Sequence, residues 1–318
     1  MAMDNLTLLG GGVLGTQIAF QSAFCGKNVT IWLRSEGSIG RTKPKLEHVK
    51  NEYLKAIDKM DETRDENDLC AGIADSYDGF DVAALKQRVE KAAESLTLEL
   101  DLAKAVSDAD LVIEAMAENK DAKTEMFRKV APVLPEKTII VTNSSSLLPS
   151  KFTKYTGRPD RYLALHFANE IWKNNTAEVM AVEGTSDASF QSVVQFAEDI
   201  NMVPLQLHKE KAGYLLNSML IPLMESALDL YVNGISDPET IDKAWCLATG
   251  APIGPMHIFD IVGLETAYNV TKPYTKIPSF IAPYNFKGQV KLLKEYIDQG
   301  KTGVNAGEGF FKYDKEDK

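Results

Sequence analysis

The chain is short of cysteine. Cys25, Cys70 and Cys246 are the only three in 318 residues, they lie far apart, and no Cys-x-x-Cys occurs. That excludes a disulfide scaffold and a zinc ribbon and fits a reducing compartment; no metal site is read. No apolar run approaches the ~18 residues of a transmembrane helix, so no membrane partner is expected. Clustered positive charge is also missing, at a formal net charge of −10. Counterion release from nucleic acid needs clustered Lys and Arg, so nucleic acid is not an expected partner. The N-terminus carries Asp4, lacks a basic cluster and enters a structured pattern at once. It does not read as a signal peptide, and a cytoplasmic location is expected. What is present is ordinary for a chain with a full core: 44% apolar and 25% charged residues. The length suits two domains of roughly 150 residues each. A soluble two-domain enzyme is the expectation.

The first 208 residues alternate strand and helix signals. Asn5-Leu6-Thr7-Leu8-Leu9 is a short apolar run that stops at three glycines. A helical pattern follows from Val13 to Phe24, and Val29 to Leu33 reads as a second strand. Further short runs begin at Leu111, Thr138, Tyr162, Val179 and Met202, with helical patterns at Lys120 to Val133 and Asp187 to Ile200. This alternation favours a parallel, doubly wound α/β sheet with helices on both faces. Residues 41 to 94 break the beat as a helical excursion, either a solvated hairpin or a substrate-binding arm. From Lys209 onward helices dominate, so a smaller all-helical domain is placed at 209–318 after a dinucleotide-binding domain at 1–208. Ala212 to Tyr231 carries Leu215, Leu216, Met219, Leu220 and Leu223 at helical spacing. Asp237 then caps a helix that opens with Pro238.

Gly10-Gly11-Gly12-Val13-Leu14-Gly15 fits G-x-G-x-x-G between a strand and a helix. Gly10 permits the tight turn, Gly12 lets backbone approach a pyrophosphate, and Gly15 lets helix pack on strand. The second strand ends in Arg34-Ser35 rather than in the carboxylate that accepts a ribose 2′-hydroxyl. A guanidinium beside a hydroxyl suits a 2′-phosphate, so NADP(H) is favoured. NAD(H) stays open, with Arg34 facing solvent and Glu36 taking the ribose. Of the four histidines, His48 reads as a surface residue, and His208 and His257 as structural. His166 differs, because it ends an apolar strand at the edge where open α/β sheets bind ligands. Glu178 follows on the next strand, where its carboxylate can meet the imidazole.

Beyond the glycine turn, Ile113-Glu114-Ala115, Asn143-Ser144-Ser145-Ser146-Leu147, Leu165-His166-Phe167-Ala168-Asn169, Gly254-Pro255 and Gly307-Glu308-Gly309-Phe310-Phe311 follow in order. Together they resemble the 3-hydroxyacyl-CoA dehydrogenase family, of 3-hydroxybutyryl-CoA dehydrogenase type, over nearly the whole chain. Asn169 and Asn174-Asn175-Thr176-Ala177-Glu178-Val179 resemble in detail a bacterial diketoreductase branch that acts on free β-keto esters. The resemblance implies a Rossmann-type domain and reversible hydride transfer at C3 of a short 3-hydroxyacyl-CoA. It implies His166 as general acid/base, Glu178 as its orienting partner, and Ser145 and Asn217 as donors to the substrate oxygen. Val13, Leu14, Glu118, Lys123 and Asn169 fall on the cofactor side, in a cleft between domains, and the helical domain would form a homodimer. Arg34 stands where the family carries its acidic ribose partner. Two other readings stay open: a reductase of free β-keto or diketo acids and esters, and a non-catalytic protein like the lens crystallins related to this family.

Several positions depart from the family pattern. Glu170 replaces a proline, Ala212-Gly213 replaces Pro-Gly, and Asn305 replaces a lysine near the terminal glycines. The helical excursion offers Lys50, Lys55 and Lys59 for CoA phosphates, but the acidic stretch from Asp58 to Asp68 would repel them.

Overall fold

The computed structural model describes Met3–Tyr313. The chain divides into two compact units, one ending at Leu215 and one beginning at Leu216. In the first, strands β1 (Asn5–Leu9), β2 (Asn28–Trp32), β3 (Thr97–Glu99), β4 (Leu111–Glu114), β5 (Ile139–Thr142), β6 (Tyr162–Phe167), β7 (Thr176–Ala181) and β8 (Val203–Leu207) form one sheet. Its helices are α1 (Val13–Phe24), α2 (Glu36–Thr63), α3 (Val82–Ser95), α4 (Leu102–Ala105), α5 (Lys120–Val130), α6 (Thr153–Thr156) and α7 (Asp187–Asp199).

The strand order is β3-β2-β1-β4-β5-β6-β7-β8, so β1 lies between β2 and β4. The order reverses at that point, and the loops after β1 and β4 leave from the same sheet edge. A doubly wound sheet opens its ligand crevice there. The central strands are buried on both faces, which is why they read as unbroken apolar runs.

The parallel expectation fails at one place: β7 runs antiparallel to β6, and β8 is parallel to β7. Only residues 168–175 join β6 to β7. A parallel return needs a crossover of about a dozen residues or more. The strand therefore reverses, and the register pairs His166 directly with Glu178. Strand β3 gave no signal because it is short and carries no apolar run.

The excursion after β2 is docked rather than solvated along its length. Val49, Tyr53, Ile57 and Met60 recur on one face of α2 and are buried with Leu85, Val89 and Ala92 of α3. Tyr53 packs its ring 4.9 Å from that of Phe20 in α1.

The second unit consists of α8 (Leu216–Val232), α9 (Pro238–Thr249), α10 (Pro255–Val262), α11 (Leu264–Thr271) and α12 (Phe286–Asp298). Leu228, Met256, Phe259, Leu264 and Leu293 form its core. Asp237 caps α9 by accepting the Thr240 N–H at 2.8 Å. The helix expected from Ala212 begins only at Leu216, because Gly213 (φ +79°) and Tyr214 (φ +50°) take left-handed backbone that a right-handed helix cannot contain. No described helix is long and apolar enough to cross a membrane.

Candidate functional site

The glycine turn follows β1 at the switch point. Gly10 has φ +115°, and a Cβ on Gly15 would stand 2.6 Å from the Gly10 carbonyl oxygen, so neither position accepts a side chain. A Cβ on Gly12 would meet nothing nearer than 3.9 Å, which leaves open space at the start of α1. Gly12 supplies no side-chain cap, and Val13 beside it is exposed, with Leu14 half-buried. This helix end is suited to an anion.

Beside the turn, Ser35 caps α2 by accepting the Ser38 N–H, while Arg34 and Glu36 are exposed. Arg34 has no carboxylate partner among the described residues. Two cations that sequence reasoning missed join it. Arg41 Nη2 donates to Ser38 Oγ at 3.0 Å, and Lys45 Nζ donates to the Gly11 carbonyl at 3.2 Å. Neither forms an ion pair among the described residues. Farther along α2 the pattern changes: Lys50 pairs with Glu90, Lys55 with Glu52 and Lys59 with Asp68. A group of cations that holds no carboxylate of this chain favours an anion from outside.

The ends of β4 and β5 carry a second cluster. Glu114 is fully buried and takes the Lys123 ammonium at 2.6 and 2.8 Å, the Thr142 hydroxyl at 2.7 Å and the Met116 N–H at 2.8 Å. Lys123 is only 1% exposed, and Glu118 lies 3.5 Å away. Glu118 Oε1 accepts from the Ser144 and Ser146 hydroxyls and the Ser146 and Leu147 amides at 2.7–2.9 Å. Burial pushes its carboxyl up, but these donors and Lys123 outweigh it and hold the group at about 2. The carboxylate thus fixes the loop that presents the exposed Ser145. The part played by Glu114 was missed; its one signal was a lone carboxylate ending an otherwise apolar strand.

On β6 and β7 the cross-strand pair closes. His166 Nδ1 lies 2.9 Å from Glu178 Oε2, and both residues are buried. Glu178 Oε1 accepts the Leu215 N–H at 2.8 Å. His166 Nε2 makes no hydrogen bond among the described residues. A neutral imidazole held this way carries its proton on Nδ1 and presents Nε2 as a base; a protonated one presents an acid. Asn143 Oδ1 accepts the Phe167 N–H at 3.0 Å and ties the serine loop to β6.

Asn169 follows β6 and is exposed, its carbonyl accepting the Asn174 side-chain amide. The next residue, Glu170, has φ +55°. Proline, fixed near −65°, cannot adopt that angle, which accounts for its replacement here. Asn217 stands in the first turn of α8, in the second unit. Of the remaining histidines, His48 and His208 are exposed, and His257 pairs with Asp242 at 2.7 Å.

Comparison with known proteins covers almost the whole chain. Residues 5–211 match the NAD-binding domain of 3-hydroxyacyl-CoA dehydrogenases, and residues 213–313 match their C-terminal domain. The mitochondrial hydroxyacyl-coenzyme A dehydrogenase of Homo sapiens is 30% identical over 98% of this chain and 91% of its own. The 3-hydroxybutyryl-CoA dehydrogenase of Clostridioides difficile is 28% identical over 98% of this chain and 100% of its own. Among solved structures, a diketoreductase described for its dual catalysis of dicarbonyl compounds is 45% identical, with a TM-score of 0.80 over 98% of this chain and 100% of its own.

Proposed function

Because the chain belongs to the 3-hydroxyacyl-CoA dehydrogenase family, we propose that it interconverts a short 3-hydroxyacyl-CoA and its 3-oxo form. The observation that carries this reading is the buried His166–Glu178 pair on the sheet that also bears the glycine turn. The nicotinamide dinucleotide, when bound, supplies or takes up the hydride. Gly12, Val13 and Leu14 offer it open space and the free backbone end of α1, Gly10 and Gly15 make the turn and the close packing behind them, and Asn169 follows on the nicotinamide side. In reduction, protonated His166 delivers its Nε2 proton to the oxygen forming at C3; in oxidation, neutral His166 removes it. Glu178 keeps the ring in the productive tautomer and offsets the imidazolium charge, and the proton transfer by His166 itself is worth about 10²–10⁴-fold. Ser145 is assigned as a donor to the same oxygen, where charge develops, and Asn217 keeps the donor role that the family resemblance implies. Lys123 acts indirectly, by holding Glu114 and Glu118, since its ammonium is buried between them.

The cofactor assignment is NADP(H). Arg34, Arg41 and Lys45 bring positive charge to the end of β2, with the Ser35 and Ser38 hydroxyls between. A charge-assisted Arg–phosphate bond is worth roughly 1.5–3 kcal/mol, or about tenfold or more in affinity. Glu36 is the one carboxylate in the first turn of α2, and its taking the ribose would make NAD(H) the cofactor instead.

A second reading is favoured by one feature. Lys50, Lys55 and Lys59, the candidates for CoA phosphates, each hold a carboxylate of this chain. A free β-keto acid or ester does not need them, and the diketoreductase likeness points the same way. We further assign a homodimer through the second unit, which exposes Ile235, Leu247 and Phe280 at 70%, 77% and 88%. The free cysteines fit a cytoplasmic site of action.

Absorbance assays of nicotinamide oxidation with acetoacetyl-CoA, acetoacetate and β-keto esters, each with NADH and NADPH, test these readings together. Preference for acetoacetyl-CoA with NADPH is expected. A KM for acetoacetyl-CoA no better than for a simple ester, and flat with salt, supports the free-substrate reading. Turnover of none of them favours a structural role. Arg34→Asp should reverse the cofactor preference; a wild-type enzyme that prefers NADH refutes the NADP(H) assignment.

A further inference from the structure

The segment that delays α8 also meets both members of the His166–Glu178 pair. The Tyr214 ring stacks on the His166 imidazole with centroids 4.4 Å apart and planes 9° from parallel. The Leu215 N–H, one residue on, holds Glu178 Oε1 at 2.8 Å. The Tyr214 hydroxyl donates to the Ser144 carbonyl at 2.8 Å, on the peptide that leads into Ser145. Tyr214 is 2% exposed and keeps left-handed backbone, φ +50°, which a residue with a side chain seldom adopts. One turn of chain thus touches the imidazole face, the carboxylate's second oxygen and the serine loop.

We infer that Tyr214 is a positioning residue for the His166–Glu178 pair, acting through the stacked face rather than by proton transfer. This rests on the functional reading above. Two physical effects follow from the stack. The parallel ring stops the imidazole turning about its χ2 axis, so Nε2 keeps one direction. The π face also attracts a protonated imidazole more than a neutral one, which favours the form that acts as acid in reduction.

The phenol itself is not a proton donor to substrate. Burial pushes it far above its ordinary range, and the charges of Glu118, Glu178, Glu114 and Glu210 act the same way. It stays a neutral hydroxyl, spent on the Ser144 carbonyl. Among the described residues, the imidazole meets the Glu178 carboxylate from β7 at one nitrogen and the Tyr214 ring from the turn before α8 at its face.

The test separates ring from hydroxyl. Tyr214→Leu removes the aromatic face, and Tyr214→Phe keeps it while removing the bond to Ser144. Losing the face disfavours the imidazolium. The acidic limb of kcat/KM for oxidation should then move to lower pH in Tyr214→Leu, by about half a unit or more, with kcat reduced and substrate KM little changed. Tyr214→Phe should keep the wild-type limb. The same comparison is read on the resting enzyme by NMR titration of the His166 ring signal, identified by its loss in His166→Asn. Should Tyr214→Leu fail to fold, Tyr214→Met removes the face with an unbranched chain of similar reach. A folded non-aromatic variant with wild-type limb and midpoint overturns the inference, as does a Tyr214→Phe limb displaced as far as that of Tyr214→Leu. If the wild-type chain turns over none of the substrates, the functional reading falls, and the resting-enzyme titration still decides the role of Tyr214.

Discussion

Among the described residues two histidine–carboxylate pairs are hydrogen-bonded, one in each unit, and they are alike in local geometry, whereas the exposed His48 stands 3.9 Å from Glu52. His166 and Glu178 meet at 2.9 Å, His257 and Asp242 at 2.7 Å. Each imidazole stacks on an aromatic ring, Tyr214 in the first unit and Phe311 in the second. The difference lies in what else the carboxylate does. Asp242 accepts the Met256 and His257 N–H groups at 2.7 and 2.9 Å and so caps α10. A Cβ on Gly254 would stand 2.1 Å from the Asp242 side chain, so the glycine before Pro255 makes room for this cap. The His257 ring adds a further donor to an anion already committed to a helix end, and its side chain is 40% exposed. Glu178 arrives instead from an opposing strand, and its partner ring is 9% exposed on the sheet that carries the glycine turn. A short imidazole–carboxylate distance does not by itself identify acid–base machinery; the remaining bonds of the carboxylate and its place on the fold do.

The largest effect expected from this contrast is on turnover. Glu178→Gln should lower kcat by about 10³–10⁴-fold with the fold intact, because an amide oxygen and nitrogen hold the imidazole tautomer poorly. Steady-state kinetics beside a circular dichroism melt would check it; near-wild-type turnover would sink the assignment. The matching change in the second unit, Asp242→Asn, should act on stability. It weakens charge-assisted capping of α10 and should cost about 1–3 kcal/mol, seen as a lower urea midpoint. Turnover per folded molecule should stay within about twofold. A loss of kcat there comparable to that of Glu178→Gln would erase the distinction between the pairs.

Glu118 sharpens the comparison because it is a loop-capping carboxylate beside the proposed active pair. Its folded carboxyl lies at about 2, below the ordinary value of 4.5. A depressed carboxylate contributes stability above its unfolded value, and that contribution is lost as pH falls through the folded one. The window is therefore roughly pH 4.5 down to 2. Since the side chain is a third exposed, solvent screening reduces the contribution to about 1–2 kcal/mol. Glu118→Gln should lose that much at neutral pH and show a flatter acid denaturation curve in the window. A variant with an unchanged acid limb would show that the serine loop does not depend on this anion.

What could be read in the residues was whatever depends on a few neighbours along the chain. The strand–glycine–helix unit at 5–24 follows from apolar run, turn chemistry and helical period, and Asp237-Pro238 announces α9 for the same reason. His166 and Glu178 stood out as an imidazole and a carboxylate at the end of one apolar run and the start of the next. The delayed start of α8 was hidden, because apolar spacing at 212–231 does not reveal that Gly213 and Tyr214 take left-handed angles.

The sequence by itself therefore determined the class of fold, the glycine turn and the candidate acid–base residues, since each rests on local period, backbone angle or residue chemistry. Only the tertiary structure decided who meets whom. The short return after β6 reverses β7 and sets Glu178 opposite His166. The adjacency of β4 and β5 brings Thr142 to Glu114, and α5 buries Lys123 against it. The turn at 213–215 lays Tyr214 on the imidazole. Partners separated by tens of residues are chosen by strand order, register and the burial of charge, and none of these is written in any one stretch of chain.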